Sequence, residues 1–196
     1  MAPSGQVRKE PGIASAWWRR LPGVVRVLLR IALALIVLFI AVTARVLIWP
    51  ALGQGMPAKV NAIVMLAGPG DRLPVALELA DQHRAPVLVV SRGSDGYGGP
   101  CPLRPPGMQL ICFDPDPPTT RGEAEYVGRL AAKYHWTSLL VVSSRPQAIR
   151  ARILVGRCFA GTIYTSTAPL AKRDWPYQIA YGWGALAKAF IQHRNC

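Results

Sequence analysis

Acidic side chains are scarce in this chain. Asp and Glu number 10 against 23 Lys and Arg, for a net charge of +13. From Tyr126 through Arg173 no residue is acidic, while eight are Lys or Arg. Such a surface calls for an anionic partner: nucleic acid, anionic lipid or a phosphorylated small molecule. Nucleic acid finds no support, because no aromatic–basic interleaving and no reading motif occurs. Histidine is limited to His83, His135 and His193, each on or at the end of an expected helix and read as a surface residue. Cysteine is limited to four residues with no Cys-x-x-Cys spacing, which offers no zinc site, and no metal is expected.

What is present begins with an apolar run. From Ile31 the chain reads IALALIVLFIAVTARVLIWP, interrupted only by Arg45. Roughly twenty apolar residues cross a bilayer, and an Arg near one end can snorkel to the headgroups. Residues 1–30 carry six basic side chains (Arg8, Lys9, Arg19, Arg20, Arg26, Arg30) against Glu10 alone. The positive-inside rule therefore places residues 1–30 in the cytoplasm, with residues 31–50 as an anchor in the lipid bilayer. Trp17, Trp18 and Trp49 fall where interfacial aromatics lie. The competing reading is a signal peptide with an apolar core from Ile31 to Val42, cut after Val42-Thr43-Ala44. Its basic leader would be unusually long, which favours an uncleaved anchor. Both readings put the remainder outside the cytoplasm, where cysteines oxidise. Cys101 and Cys112 bracket a Pro-rich loop and Cys196 is the last residue, so the expected pairs are Cys101–Cys112 and Cys158–Cys196.

After a Pro- and Gly-containing linker, residues 51–58, the pattern alternates between short apolar runs and helical periods through residues 59–196. Strands are expected at Val60–Leu66, Val87–Val90, Gln109–Phe113, Leu139–Val142 and Thr162–Thr165. Helices are expected at Arg72–Arg84, Thr120 to about His135, Gln147–Phe159 and Trp175–Gln192. Continuous apolar strands between amphipathic helices mean an α/β fold, a doubly wound parallel sheet of about five strands. Ligands of such sheets bind beyond the carboxyl ends of the strands, where the strand order reverses. Every unusual stretch falls at that edge: 67–70, 91–93, 114–123 and 143–150.

These stretches carry a resemblance. Leu66-Ala67-Gly68-Pro69-Gly70, Ser91-Arg92-Gly93, Thr119-Thr120-Arg121-Gly122-Glu123-Ala124, and Val142-Ser143-Ser144 followed by Arg150-Ala151-Arg152 resemble the YdcF-like family of envelope proteins, which includes SanA and ElyC. The resemblance runs from about Val60 to the C-terminus and extends to the single N-terminal anchor. It implies a Rossmann-like domain, a role in cell-envelope maintenance, and S-adenosylmethionine or another nucleotide-like ligand. It carries no settled reaction. Two positions depart from the family pattern: Gln147 stands where relatives carry His, and Gly182 in Tyr181-Gly182-Trp183-Gly184 where they often carry Glu.

The candidate ligand-binding residues follow. Gly68 and Gly70 let the backbone approach a phosphate or adenosine at the next helix start, if they are not merely an ordinary turn. Ser91 and Arg92 stand past the second strand. Gly93, Asp95, Gly96, Gly98 and Gly99 suggest a mobile flap closed by the Cys101–Cys112 bridge. Thr120, Arg121 and Glu123 bring a hydroxyl, a guanidinium and a carboxylate to one helix start, although Thr120 and Glu123 also fit a capping box. Ser143, Ser144 and the helix start at Pro146 make an anion cradle, with Arg150 one turn inside and Arg157 on the same face. Arg152 points the other way. Gln147 belongs to the turn and cannot take a proton. Two classes stay open. One is a binding protein for an anionic small molecule or envelope precursor that has lost its chemistry. The other is an envelope hydrolase or transferase for a phosphorylated precursor, with Glu123 as general base.

Overall fold

A computed structural model describes residues 22–50, 52, 55–93, 101–192 and 195–196, in two units, 1–42 and 43–196. The basic residues up to Arg20, Trp17, Trp18, the flap residues Asp95, Gly96, Gly98 and Gly99, and His193 lie outside the described residues.

The first unit holds helix α1 (Gly23–Thr43) up to Val42; the helix starts before Ile31 because Val24, Val25, Val27, Leu28 and Leu29 continue the apolar pattern around Arg26 and Arg30. With one π-helical turn, Ala44–Ile48, the run reaches 26 residues, and an 18-residue window of it has a mean hydropathy of 2.8. At about 1.5 Å per residue this is roughly 39 Å, more than the roughly 30 Å of a hydrocarbon core. Leu28, Leu33, Ile36, Leu38 and Ile40 are all exposed, so the helix has no polar face to offer water. It is long and apolar enough to cross a membrane.

The second unit is α/β. Five strands, β1 (Ala62–Met65), β2 (Val87–Ser91), β3 (Gln109–Phe113), β4 (Ser138–Ser144) and β5 (Thr162–Ala168), form one parallel sheet in the order β3-β2-β1-β4-β5. Helices α2 (Arg72–Asp81), α3 (Thr120–Lys133), α4 (Arg145–Cys158) and α5 (Trp175–Ile191) complete it. The central strands β1, β2 and β4 carry apolar runs because both faces of the sheet are covered there. Ala62, Val64, Val87, Val89, Leu139 and Val141 pack with Val127, Leu154 and Ala189 of α3, α4 and α5. Their alternates Ile63, Met65, Leu88, Val90, Leu140 and Val142 pack with Ala76, Leu79 and Ala80 of α2. Successive side chains on a strand point to opposite faces, so one run of four apolar residues feeds two cores.

The polar ends of two strands run further than the apolar pattern. Ser143 pairs with Thr167 and Ser144 with Ala168, so the ladder continues past Val142 into the serines. His83 and His135, both exposed, have φ of 51° and 53°, the left-handed conformation that often follows a helix end. The disulfides join Cys101 to Cys112 and Cys158 to Cys196, with Cα separations of 6.0 and 4.8 Å.

Candidate functional site

The strand order reverses between β1 and β4, and a cavity of about 610 Å³ opens there at the carboxyl edge of the sheet. The turn after β1 contributes Ala67, Gly68 and Pro69, and the loop after β2 contributes Gly93. The loop after β3 and the start of α3 add Thr120, Arg121 and Glu123, and α4 adds Gln147 and Arg150. The far wall is α5, through Tyr177, Gln178, Tyr181 and Lys188.

Glu123 settles how α3 begins. The helix is capped by Thr119, whose hydroxyl accepts from the Gly122 amide at 3.3 Å. The capping box expected between Thr120 and Glu123 does not form. The Glu123 carboxylate instead turns into the domain and accepts from the Ala67 amide at 2.6 Å. It is 3% exposed. Burial pushes its carboxyl above the ordinary range. The Ser91 hydroxyl, the Ala67 amide and the charges of Arg72 and Arg150 pull the other way. The Ser91 hydroxyl, fully buried, reaches the carboxyl only outside the geometry of a well-formed hydrogen bond. A carboxyl in this position can hold or release a proton inside the cavity.

Arg72, whose importance the sequence did not announce, is the hub beneath the site. Its guanidinium is 2% exposed. One Nη donates to the carbonyls of Leu66 at 2.8 Å and Ala67 at 2.5 Å, and Nε donates to that of Pro69 at 3.2 Å. The other Nη donates to Pro69 O at 3.1 Å, Ser144 Oγ at 3.2 Å and Gln147 Oε1 at 2.9 Å. Burial, with Arg150 adding to it and Glu123 opposing, brings its pKa down to about 10. A Cβ at Gly68, whose φ is 128°, would sit 2.7 Å from this guanidinium. That glycine is thus required by both its conformation and its neighbour. The available signal was a cation at the first position of a helix, where the backbone dipole disfavours positive charge unless other groups hold it.

The two serines of the expected cradle occupy a different place. Ser143 and Ser144 are fully buried strand residues and do not line the cavity. Ser144 Oγ accepts from Arg72, and Ser143 Oγ has no hydrogen-bond partner. Gln147 does line the cavity, yet both ends of its amide are used, Oε1 by Arg72 and Nε2 toward Gln178 Oε1 at 3.4 Å. Gly70, exposed, and Ser91, buried, do not line the cavity, and Arg92 pairs with Asp114 on the surface. Arg121 lines the cavity and pairs with Glu125 at 2.7 Å.

Arg150 is the cation that faces the cavity from within. It is 8% exposed, and one Nη donates to Thr120 Oγ1 at 3.3 Å. Its guanidinium carbon stands 5.3 Å from the centre of the Tyr181 ring, a cation–π contact. Its Nε is buried with no hydrogen-bond partner. Arg157, one face with it in sequence, is turned to the Ala189 carbonyl at 2.7 Å, and Arg152 to the Leu52 carbonyl.

No protein-family model, curated protein or solved structure matches this chain. The site must therefore be read from its own chemistry. Three cations and one buried carboxyl face a cavity large enough for a small molecule. Tyr177 and Tyr181, 67% and 46% exposed with ring centroids 6.0 Å apart, give one wall an aromatic surface. Spacing alone could have found that wall: Tyr177, Tyr181, Ala185 and Lys188 recur at helical intervals on one face of α5.

Proposed function

We propose that this chain is a membrane-anchored, extracytoplasmic protein whose α/β domain binds an anionic, nucleotide-like small molecule as a YdcF-like component of cell-envelope maintenance. The observation that carries the reading is Arg150: a buried guanidinium at the topological switch point, with an unpartnered Nε and with Arg121 and Lys188 on the same cavity. Buried charges are retained where something pairs with them, and an anion supplies that pairing. The tyrosine wall suits the flat ring of a nucleotide-like ligand.

Two details favour binding over turnover. Gln147, in place of the histidine common among relatives, has its amide committed to Arg72 and Gln178. At Gly182, where relatives often carry Glu, a Cβ would stand 3.3 Å from both Leu47 methyl groups. A longer side chain there would have to displace Leu47, which is 2% exposed.

Calorimetry on the full-length protein in detergent, with adenosine monophosphate and inorganic phosphate as probes, tests the reading. Arg150→Ala should weaken binding by roughly ten- to a hundredfold, as expected for a charge-assisted hydrogen bond of about 1.5–3 kcal/mol. Arg152→Ala, which alters a group facing the linker, should leave affinity unchanged. Equal losses from both would reduce the effect to bulk charge and remove the site.

A second reading rests on Glu123. A cavity-facing carboxyl freed from helix capping and pushed up by burial is suited to general acid–base work. Hydrolysis or transfer on a phosphorylated substrate that disappears in Glu123→Gln, with binding retained, would establish an enzyme.

A further inference from the structure

We infer that an anion entering the cavity is bound together with a proton, and that Glu123 is the group that takes the proton up. The inference rests on the anion-binding reading above and adds the state of the site that binds. Glu123 and Arg150 line the same cavity, so an anion drawn to Arg150 arrives beside the carboxyl. An anion held beside a charged carboxyl that is itself 3% exposed is repelled by it. A neutral carboxyl removes that repulsion and can donate a hydrogen bond to the anion. Its Oε1 already accepts from Ala67, which leaves the second oxygen to carry the proton.

The groups around the carboxyl explain why the proton is exchanged with occupancy. Arg72 reaches it from α2 and Arg150 from α4, and both favour the charged form in the empty site. Ser91 from β2 and the Ala67 amide act in the same direction. On its own helix Arg121 is paired with Glu125, and Lys188 of α5 stands on the far cavity wall. An anion that engages Arg150 neutralises part of the field holding Glu123 charged. The carboxyl then binds a proton more tightly than before. No histidine lines the cavity among the described residues, so none stands beside the anion to act as the proton carrier.

The sign follows from linkage. Affinity is greatest at pH below the carboxyl pKa of the empty site. It falls by up to about tenfold per pH unit through the window between the empty and occupied values, and levels off above it. Sulfate is the probe, because it keeps its double charge throughout. Full-length protein in detergent is titrated with sulfate from mildly acidic to mildly alkaline pH, in buffers of differing ionisation heat. Wild type should take up a proton and lose affinity as pH rises. Glu123→Gln, which mimics the neutral carboxyl, should bind at every pH as wild type does at its acidic limit, with no uptake. Sulfate bound by wild type without proton uptake overturns the inference, as does a pH slope that survives in Glu123→Gln. If Glu123→Gln does not fold, zero uptake in wild type still overturns it and uptake of about one proton supports it. Sulfate bound at no pH would bring down the anion-binding reading itself, whereas sulfate bound without linkage would leave that reading standing.

Discussion

A carboxyl buried as Glu123 is holds a proton more firmly in the folded domain than in the unfolded chain, because burial outweighs the surrounding donors and cations. Its folded pKa lies above its ordinary value of 4.5, so the stability it contributes is fully present below that value. That contribution is lost as pH rises through the folded-state pKa. Urea unfolding of wild type and Glu123→Gln should therefore diverge with pH: the variant loses less stability between acidic and neutral solution. Parallel curves would place the carboxyl in water. The residue was legible as a candidate from Thr120-Arg121-Gly122-Glu123, but its role was not, since a capping box and a buried acid share one local pattern. The choice between them is made by Ala67, 56 residues away, and by Arg72 and Arg150, which no local spacing connects to it.

Elements were easier to read than residues, because each strand reports both of its faces. The run Leu139-Leu140-Val141-Val142 reads as a strand covered on two sides, and its alternate members do enter two cores. Where the reading stopped short, at Ser143–Ser144 and Ser166–Ala168, the ladder itself holds polar residues in place, and backbone pairing leaves no mark in hydropathy. The cysteines were legible through compartment and position. The Cys158–Cys196 bridge fastens the end of α4 to Cys196, beyond α5, and closes 38 residues of sequence, against 11 for Cys101–Cys112. Loop-closure entropy then predicts that losing the longer bridge costs about 1 kcal/mol more, within a usual range of about 2–4 kcal/mol for each. Thermal unfolding of Cys158→Ser/Cys196→Ser beside Cys101→Ser/Cys112→Ser measures this directly. A larger loss from the shorter bridge would mean that the loop it closes is integral to the domain.

At the scale of the whole molecule the open question is whether the apolar helix stays attached. A signal peptidase cut after Ala44 would remove Thr43, yet the second unit begins with that residue and uses it. The Trp183 indole donates to Thr43 Oγ1 at 3.1 Å, Leu47 is buried against Gly182, and the Trp49 amide closes the turn onto Ala44 O at 2.7 Å. Cleavage would discard a hydrogen-bond acceptor for a half-buried indole and leave a new charged terminus at Arg45 beside buried Leu47. Retention is the outcome that keeps those groups satisfied. On the proposed topology, with the basic residues before Ile31 on the cytoplasmic side, the α/β domain would be exported and its thiols oxidised. Intact mass of the membrane-extracted protein should therefore include residues before Ala44, and a reporter fused after Cys196 should be active only where disulfides form. A mature N-terminus at Arg45 would make α1 a signal peptide and free the domain from the membrane. Free thiols at Cys101, Cys112, Cys158 and Cys196 would reverse the topology altogether.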